Sequence, residues 1–182
     1  MNYIKITKHD IANGEGVRCV LWVSGCKLHC ENCHNPQTWD FNSGMRFDNN
    51  VKQELLEALN KPYIQGITFS GGHPLEPQNI HEVYQLIKEI RSKFPNKDIW
   101  LYTGYTLRYE NFRVLLNGRD DESNHWNAIH DVINLCDVVV DGPYIEEQRD
   151  ITLPFVGSKN QRLIDVKETI KQGQIIQYKI NE

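Results

Sequence analysis

The sequence has no long hydrophobic run. Apolar stretches such as Cys19-Val20-Leu21-Trp22-Val23 fall far short of the ~20 residues that a membrane-spanning helix needs. The first residues, Met1-Asn2-Tyr3-Ile4-Lys5-Ile6-Thr7, lack the basic-then-apolar order of a secretory signal, so a cytoplasmic location is expected. Basic residues are not in excess: 20 Lys and Arg face 24 Asp and Glu, for a net charge of −4. That balance argues against nucleic acid or an anionic membrane as partner. There is no repeat of fixed period and no low-complexity linker, and 182 residues suit one domain with a sizeable core. Cysteine is sparse and odd in number, at five. A disulfide framework would leave one thiol over, and a reducing compartment suits free thiols.

Three of those five cysteines fall within eight residues, as Cys26-x3-Cys30-x2-Cys33. Thiols this close imply a metal site. Iron–sulfur clusters are usually held by four thiolates; three leave one iron open to a substrate or small ligand, as open positions mark working metal sites elsewhere. Zinc is the alternative, with His29 or His34 completing a Cys3His set. Structural zinc sites usually take ligands from two separated pairs, and no second pair follows here. Spacing therefore favours iron–sulfur over zinc. Cys19 and Cys136 lie in or beside apolar runs, where core packing is their expected role.

The rest of the chain alternates strand-like and helix-like segments. Cys19–Val23 reads as a buried strand from its branched and aromatic content, entered through the turn-rich Asp10–Arg18 loop. Val51, Leu55, Leu56 and Leu59 repeat at helical spacing over 48–60, with Asp48 or Asn49 as amino-terminal cap. Gly66–Phe69 predicts a strand ending in Ser70-Gly71-Gly72-His73-Pro74, where paired glycines permit close backbone approach. A second helix is expected over 79–94 from Ile80, Val83, Tyr84, Ile87 and Ile90. Ile99–Tyr102 and Asp137–Asp141 complete four clear strands. Residues 106–135 read as two helical pieces split by an acidic surface loop over 117–124. Strand–helix alternation implies parallel βαβ units, and four strands are too few for a closed eightfold barrel of ~250 residues. The expected fold is a single-domain α/β open partial (β/α) barrel, with a tail beyond 145 that wraps the sheet edge or meets a partner.

Several segments carry a resemblance. The cysteine triplet resembles the cluster motif of the radical S-adenosylmethionine (SAM) superfamily, and His34-Asn35 after it resembles the branch that activates glycyl-radical enzymes. Asn13–Arg18, Thr68-Phe69-Ser70-Gly71-Gly72-His73-Pro74-Leu75, Lys97–Tyr105, Val139–Tyr144 and Gly157-Ser158-Lys159-Asn160-Gln161-Arg162 are similar, in order, to the anaerobic ribonucleoside-triphosphate reductase activating proteins. Activases of other glycyl-radical enzymes, such as pyruvate formate-lyase, share the triplet but are generally longer. A zinc-stabilised module without catalysis is the reading from a different class.

The resemblance implies a radical SAM oxidoreductase. Cys26, Cys30 and Cys33 would hold a [4Fe–4S] cluster, and SAM would chelate its open iron. Asn32, Cys33 and His34 would line the adenine, while Gly71, Gly72 and His73 would meet the methionine end. Cleavage of SAM would then place a radical on a glycine of the reductase large subunit, with flavodoxin as the usual electron donor. Position 73 is usually acidic in the family, so His73 implies weaker SAM affinity, with the contact kept through backbone carbonyls. Asn32 stands where many radical SAM enzymes carry an aromatic residue, and His34 supplies a flat face in its place or is a surface histidine. Asn13, Arg18, Asp141 and Arg162 match the family without a role derivable from sequence; a carboxylate partner for Arg18 and a reductase contact for Asn160-Gln161-Arg162 are the expectations. His34→Ala is expected to weaken SAM binding without loss of iron, as measured by a SAM dissociation constant alongside iron analysis. Loss of iron would instead mark His34 as a ligand or a folding determinant.

Overall fold

The computed structural model describes residues 1–110, 113–116 and 124–180. Four parallel strands form its centre: β2 (Arg18–Val23), β4 (Gly66–Gly71), β5 (Asp98–Tyr102) and β8 (Val138–Asp141). They match the four strands expected from sequence, and their nearly unbroken apolar character reflects cover on both faces. Three further strands extend the sheet antiparallel at its edges. β1 (Asn2–Asp10) pairs with β2, the short β3 (Met45–Arg46) with β1, and β9 (Arg162–Asp165) with β8. The order β3-β1-β2-β4-β5-β8-β9 does not close on itself, giving an open mixed α/β sheet of seven strands.

Helices cover one face. α1 (Asn49–Leu59) begins where the Asp48 carboxylate accepts the amides of Asn50 and Val51 at 2.9 and 3.0 Å, satisfying two donors that the first turn leaves free. α2 (Ile80–Lys93) buries Ile80, Val83, Leu86, Ile87 and Ile90, and Pro95 follows its end. Its Arg91 donates twice to the Leu135 carbonyl, at 2.9 and 2.6 Å. Together with α3 (Asn124–Asn134) and α4 (Val166–Gln172) these helices enclose an apolar cluster against Ile99, Leu101 and Val139. The alternate residues Trp100, Val138 and Val140 point to the other face. There Phe155 and Tyr178 meet Trp100 edge-on, each at 5.4 Å. The tail therefore wraps the sheet edge as β9 and also covers its second face.

One expectation fails. β6 (Leu107–Glu110) and β7 (Arg113–Leu116) are paired antiparallel strands, in place of the first helical piece. Tertiary partners decide it: Leu107 is buried, its amide donates to Asp141 Oδ2 at 2.7 Å and its carbonyl accepts from Arg162 at 2.9 Å. These distant groups hold the backbone extended whatever its local apolar spacing. The helical piece after it is α3, and the acidic loop over 117–124 lies largely outside the described residues.

Arg18 pins the sheet at the end where β2 starts. It is fully buried, donates to Thr68 Oγ1 at 2.7 Å, to the Ile67 carbonyl at 3.1 Å and to Glu15 O at 2.7 Å, and pairs with Asp98 at 2.6 Å. Its guanidinium lies 5.0 Å from the Trp100 ring. Asn13, in the preceding loop, bonds both Asp10 carboxylate oxygens and passes its carbonyl to the Thr68 hydroxyl. Burial raises the Asp98 carboxyl above its ordinary range despite the attraction of Arg18. A carboxyl raised on folding favours the native state while protonated and loses that contribution as pH rises through its folded value. Arg18→Ala is therefore expected to cost about 3–5 kcal/mol at neutral pH, with a smaller deficit in mild acid, where Asp98 takes up a proton. Urea unfolding at both pH values measures the difference.

Candidate metal centre

Parallel strands deliver their chains to one end of a sheet, and the cysteines occupy the first exit. Past Val23 the amide of Ser24 donates to Asn2 O, that of Gly25 to Thr38 O and that of Cys26 to Trp39 O, at 3.0, 2.7 and 3.1 Å. The loop thus leaves β2 and returns beside it. Pro36 opens the short 3-10 turn 36–38 that ends the loop, and the Thr38 hydroxyl closes onto Asn35 O at 2.7 Å. His29 stacks on Trp39 at 4.6 Å. Asn32 has φ of 53°, a left-handed conformation that asparagine tolerates better than most residues.

Cys26, Cys30 and Cys33 are free and half-buried, whereas Cys19 and Cys136 are buried. Burial pushes the Cys19 thiol up to about 11 and the Cys136 thiol up to about 12, which holds both protonated. Burial also raises Cys26, but there the amides of Leu28 and His29 oppose it by donating to the sulfur. Cys33 Sγ accepts the amide of Asn35 at 3.4 Å. Amides directed at sulfur favour the thiolate, the form that binds metal. Among the described residues no three His, Cys, Asp or Glu side chains converge on a common point. Thiols bond one another weakly, so the backbone bonds of the loop decide where the sulfurs stand. The chemistry of the donor set, three accessible soft sulfurs with amides aimed at two of them, fits an iron–sulfur cluster.

The second exit braces the first. A Cβ added to Gly71, at φ of 100°, would stand 2.7 Å from Val23 O, and one on Gly72 would stand 2.6 Å from Gly25 O. The close approach that these glycines permit is therefore to the end of β2, at Gly71, and to the root of the cysteine loop, at Gly72. The Gly72 amide donates to Val23 O at 2.7 Å and the His73 amide to Gly25 O at 2.8 Å. At the third exit, after β5, Leu28 lies over Gly104, where a Cβ would meet Leu28 Cδ1 at 2.2 Å.

Beneath this junction lie three buried polar residues, His73, Glu76 and Asn79. Asn79 Nδ2 donates to Ser24 O at 2.8 Å and to His73 O at 3.1 Å. His73 Nε2 meets Thr103 Oγ1 at 2.9 Å, and its ring stands edge-on to Tyr105 at 5.0 Å. Its Nδ1 has no hydrogen-bond partner among the described residues, since Glu76 Oε1 at 3.5 Å is an electrostatic neighbour at the limit of bonding distance. Burial alone would raise the Glu76 carboxyl. His73 and the Lys27 amide outweigh it and hold the group below the usual carboxylate range.

With this geometry in view, the comparisons with known proteins are specific. The sequence model of the family described as "4Fe-4S single cluster domain" matches residues 12–164. The anaerobic ribonucleoside-triphosphate reductase-activating protein of Escherichia coli K12 is 40% identical over 163 residues, 88% of this chain and 96% of the relative. Its counterpart in Enterobacteria phage T4 is 40% identical over 163 residues, 90% of this chain and 93% of the relative. That of Haemophilus influenzae is 37% identical over 163 residues, 88% and 96% respectively. The chain belongs to the anaerobic ribonucleoside-triphosphate reductase-activating protein family.

Within this activating-protein frame the expected site residues divide by burial. Asn32 and His34 are exposed; Cys26, Cys30, Cys33, Gly71 and Gly72 are half-buried; His73 is buried. All lie at the first two strand exits. Asp141 and Arg162 stand at the far edge of the same end, joined through both carboxylate oxygens, while Asn160 and Gln161 bond the carbonyls of Pro143 and Gly142. Arg18 has its carboxylate partner at the opposite end. Sequence reasoning missed Glu76 and Asn79, although an acid and an amide so close behind a Gly-Gly-x-Pro turn could have drawn notice.

The two glycine contacts give a differential test. Gly72→Ala drives a Cβ into backbone oxygen and is expected to cost about 1–3 kcal/mol, whereas Gly104→Ala meets only the end of the Leu28 side chain and should cost less. Urea midpoints of both variants check this; equal costs would mean that the Gly72–Gly25 junction yields freely.

Proposed function

We propose that this protein is a radical SAM activase, which installs a glycyl radical on the large subunit of the anaerobic ribonucleoside-triphosphate reductase. One observation carries the reading. Three accessible cysteines, spaced Cys-x3-Cys-x2-Cys, follow the first parallel strand of a chain whose relatives bear the activating protein's name. Open α/β sheets place ligands at the carboxyl ends of their strands, which is where these cysteines stand.

On this reading residues 1–182 form one radical SAM domain, and the open sheet is the partial barrel of that superfamily. Cys26, Cys30 and Cys33 bind a [4Fe–4S] cluster as thiolates. When bound, such a cluster would supply the one-electron reduction, with the electron drawn from the donor protein, that releases methionine from SAM and lets the adenosyl carbon take a hydrogen atom from a glycine Cα of the reductase. The chain's own residues position and exclude. Gly71 and Gly72 keep the strand exit narrow and offer backbone to the methionine end of SAM, with His73 beside them. Asn32, Cys33 and His34 flank the adenine. No residue need act as general base. The reductase and an electron donor such as flavodoxin are the partners, and the cytoplasm is the compartment. No helix among the described residues is long and apolar enough to cross a membrane.

Anaerobically reconstituted and reduced protein is expected to give a [4Fe–4S] electron paramagnetic resonance signal that changes on adding SAM. Ala at 26, 30 or 33 should abolish the signal, while Cys19→Ala and Cys136→Ala keep it. A colourless protein that carries zinc would sink the radical mechanism.

A further inference from the structure

Glu76 is 2% exposed, and its Oε1 accepts the amide of Lys27 at 3.2 Å. That amide belongs to the residue directly after Cys26. On its other side the carboxylate faces His73 Nδ1 at 3.5 Å, and His73 is held by Thr103 through Nε2 at 2.9 Å. The series Thr103, His73, Glu76, Lys27 thus crosses from the third strand exit, through the second, to the cysteine loop at the first. A buried carboxylate is costly unless hydrogen-bonded. A glutamine could accept the same amide with no charge to desolvate, so fastening the loop does not by itself account for an acid here. What the acid adds is a fixed negative charge beside Cys26.

We propose that Glu76 is a positioning residue of the metal centre: it fastens the cysteine loop through the Lys27 amide, and its charge makes the bound cluster harder to reduce. The inference rests on the reading of Cys26, Cys30 and Cys33 as cluster ligands. Reduction adds negative charge to the cluster, and like charges repel far more strongly in a protein interior than in water. Groups around a metal site set its potential in this way. His73, facing the carboxylate at 3.5 Å, keeps it turned towards the loop and away from solvent.

Two variants of the full chain separate the two roles. Glu76→Gln keeps the shape and the acceptor but not the charge; Glu76→Ala removes both. In metal-free protein, hydrogen exchange at the Lys27 amide, read by NMR, is expected to stay slow in Glu76→Gln and to accelerate tenfold or more in Glu76→Ala. In reconstituted protein, a redox titration followed by electron paramagnetic resonance is expected to place the midpoint of Glu76→Gln at more positive potential than wild type. A wild-type potential in Glu76→Gln, or unchanged Lys27 exchange in Glu76→Ala, would overturn the proposal. Wild-type protein that takes up no iron would overturn the cluster reading instead, with Lys27 exchange still deciding whether Glu76 fastens the loop.

Discussion

The contact between Gly25 and the Gly72-His73 turn carries the geometry of the sheet into the cysteine loop. Two parallel strands in register place Val23 opposite Gly71; the amides of Gly72 and His73 then continue the ladder onto Val23 O and Gly25 O. Because the added atoms of any larger residue at 71 or 72 would run into backbone oxygen, the approach cannot relax by a side-chain rotation. The loop is thereby fixed at its root to the most buried part of the fold. A ligand loop anchored only through side chains would inherit their rotamer freedom, and thiols spaced along it would be correspondingly ill placed.

Polar groups divide between the two ends of the sheet by function. At the end where β2 begins, all three guanidinium nitrogens of Arg18 are bonded to internal partners. Its burial is tolerable because Asp98, Thr68, two carbonyls and the Trp100 face share the charge. The opposite end is less completely satisfied. There His73 Nδ1 is buried without a hydrogen-bond partner among the described residues, the Glu76 carboxyl is held below its ordinary range inside the protein, and three thiols stay within reach of solvent. Incomplete satisfaction at one end of an otherwise closed core is where chemistry is expected, since a structure rarely retains such groups for stability alone.

Legibility followed the reach of the forces involved. The four parallel strands and the helices α1 and α2 are readable because their signals are local: buried apolar runs, helical spacing, Asp48 capping α1 and Pro95 behind α2. The cysteine triplet was readable for the same reason. β1 was not, since Tyr3-Ile4-Lys5-Ile6-Thr7 mixes charge with apolar residues as an edge strand does. The extended β6–β7 pair is not legible in local spacing because Asp141 and Arg162, far along the chain, hold Leu107. Glu76 and Asn79 escaped for a related reason: a polar side chain declares its burial only once the elements around it are assembled.

Burial separates the five cysteines into two chemical kinds. Cys19 and Cys136 are enclosed by apolar side chains, and the free energy needed to ionise them there holds them as neutral thiols, unable to compete for a soft cation. The triplet sits where the strands end, next to amide donors that only an exposed loop can spare. Had the loop been drawn deeper, the burial that already raises Cys26 would weigh more heavily against its amides; left fully in solvent, it would lose the amides and the anchor at Gly25. The half-buried position is the one compatible with both demands, and the glycine contact at the second strand exit is what keeps the loop there.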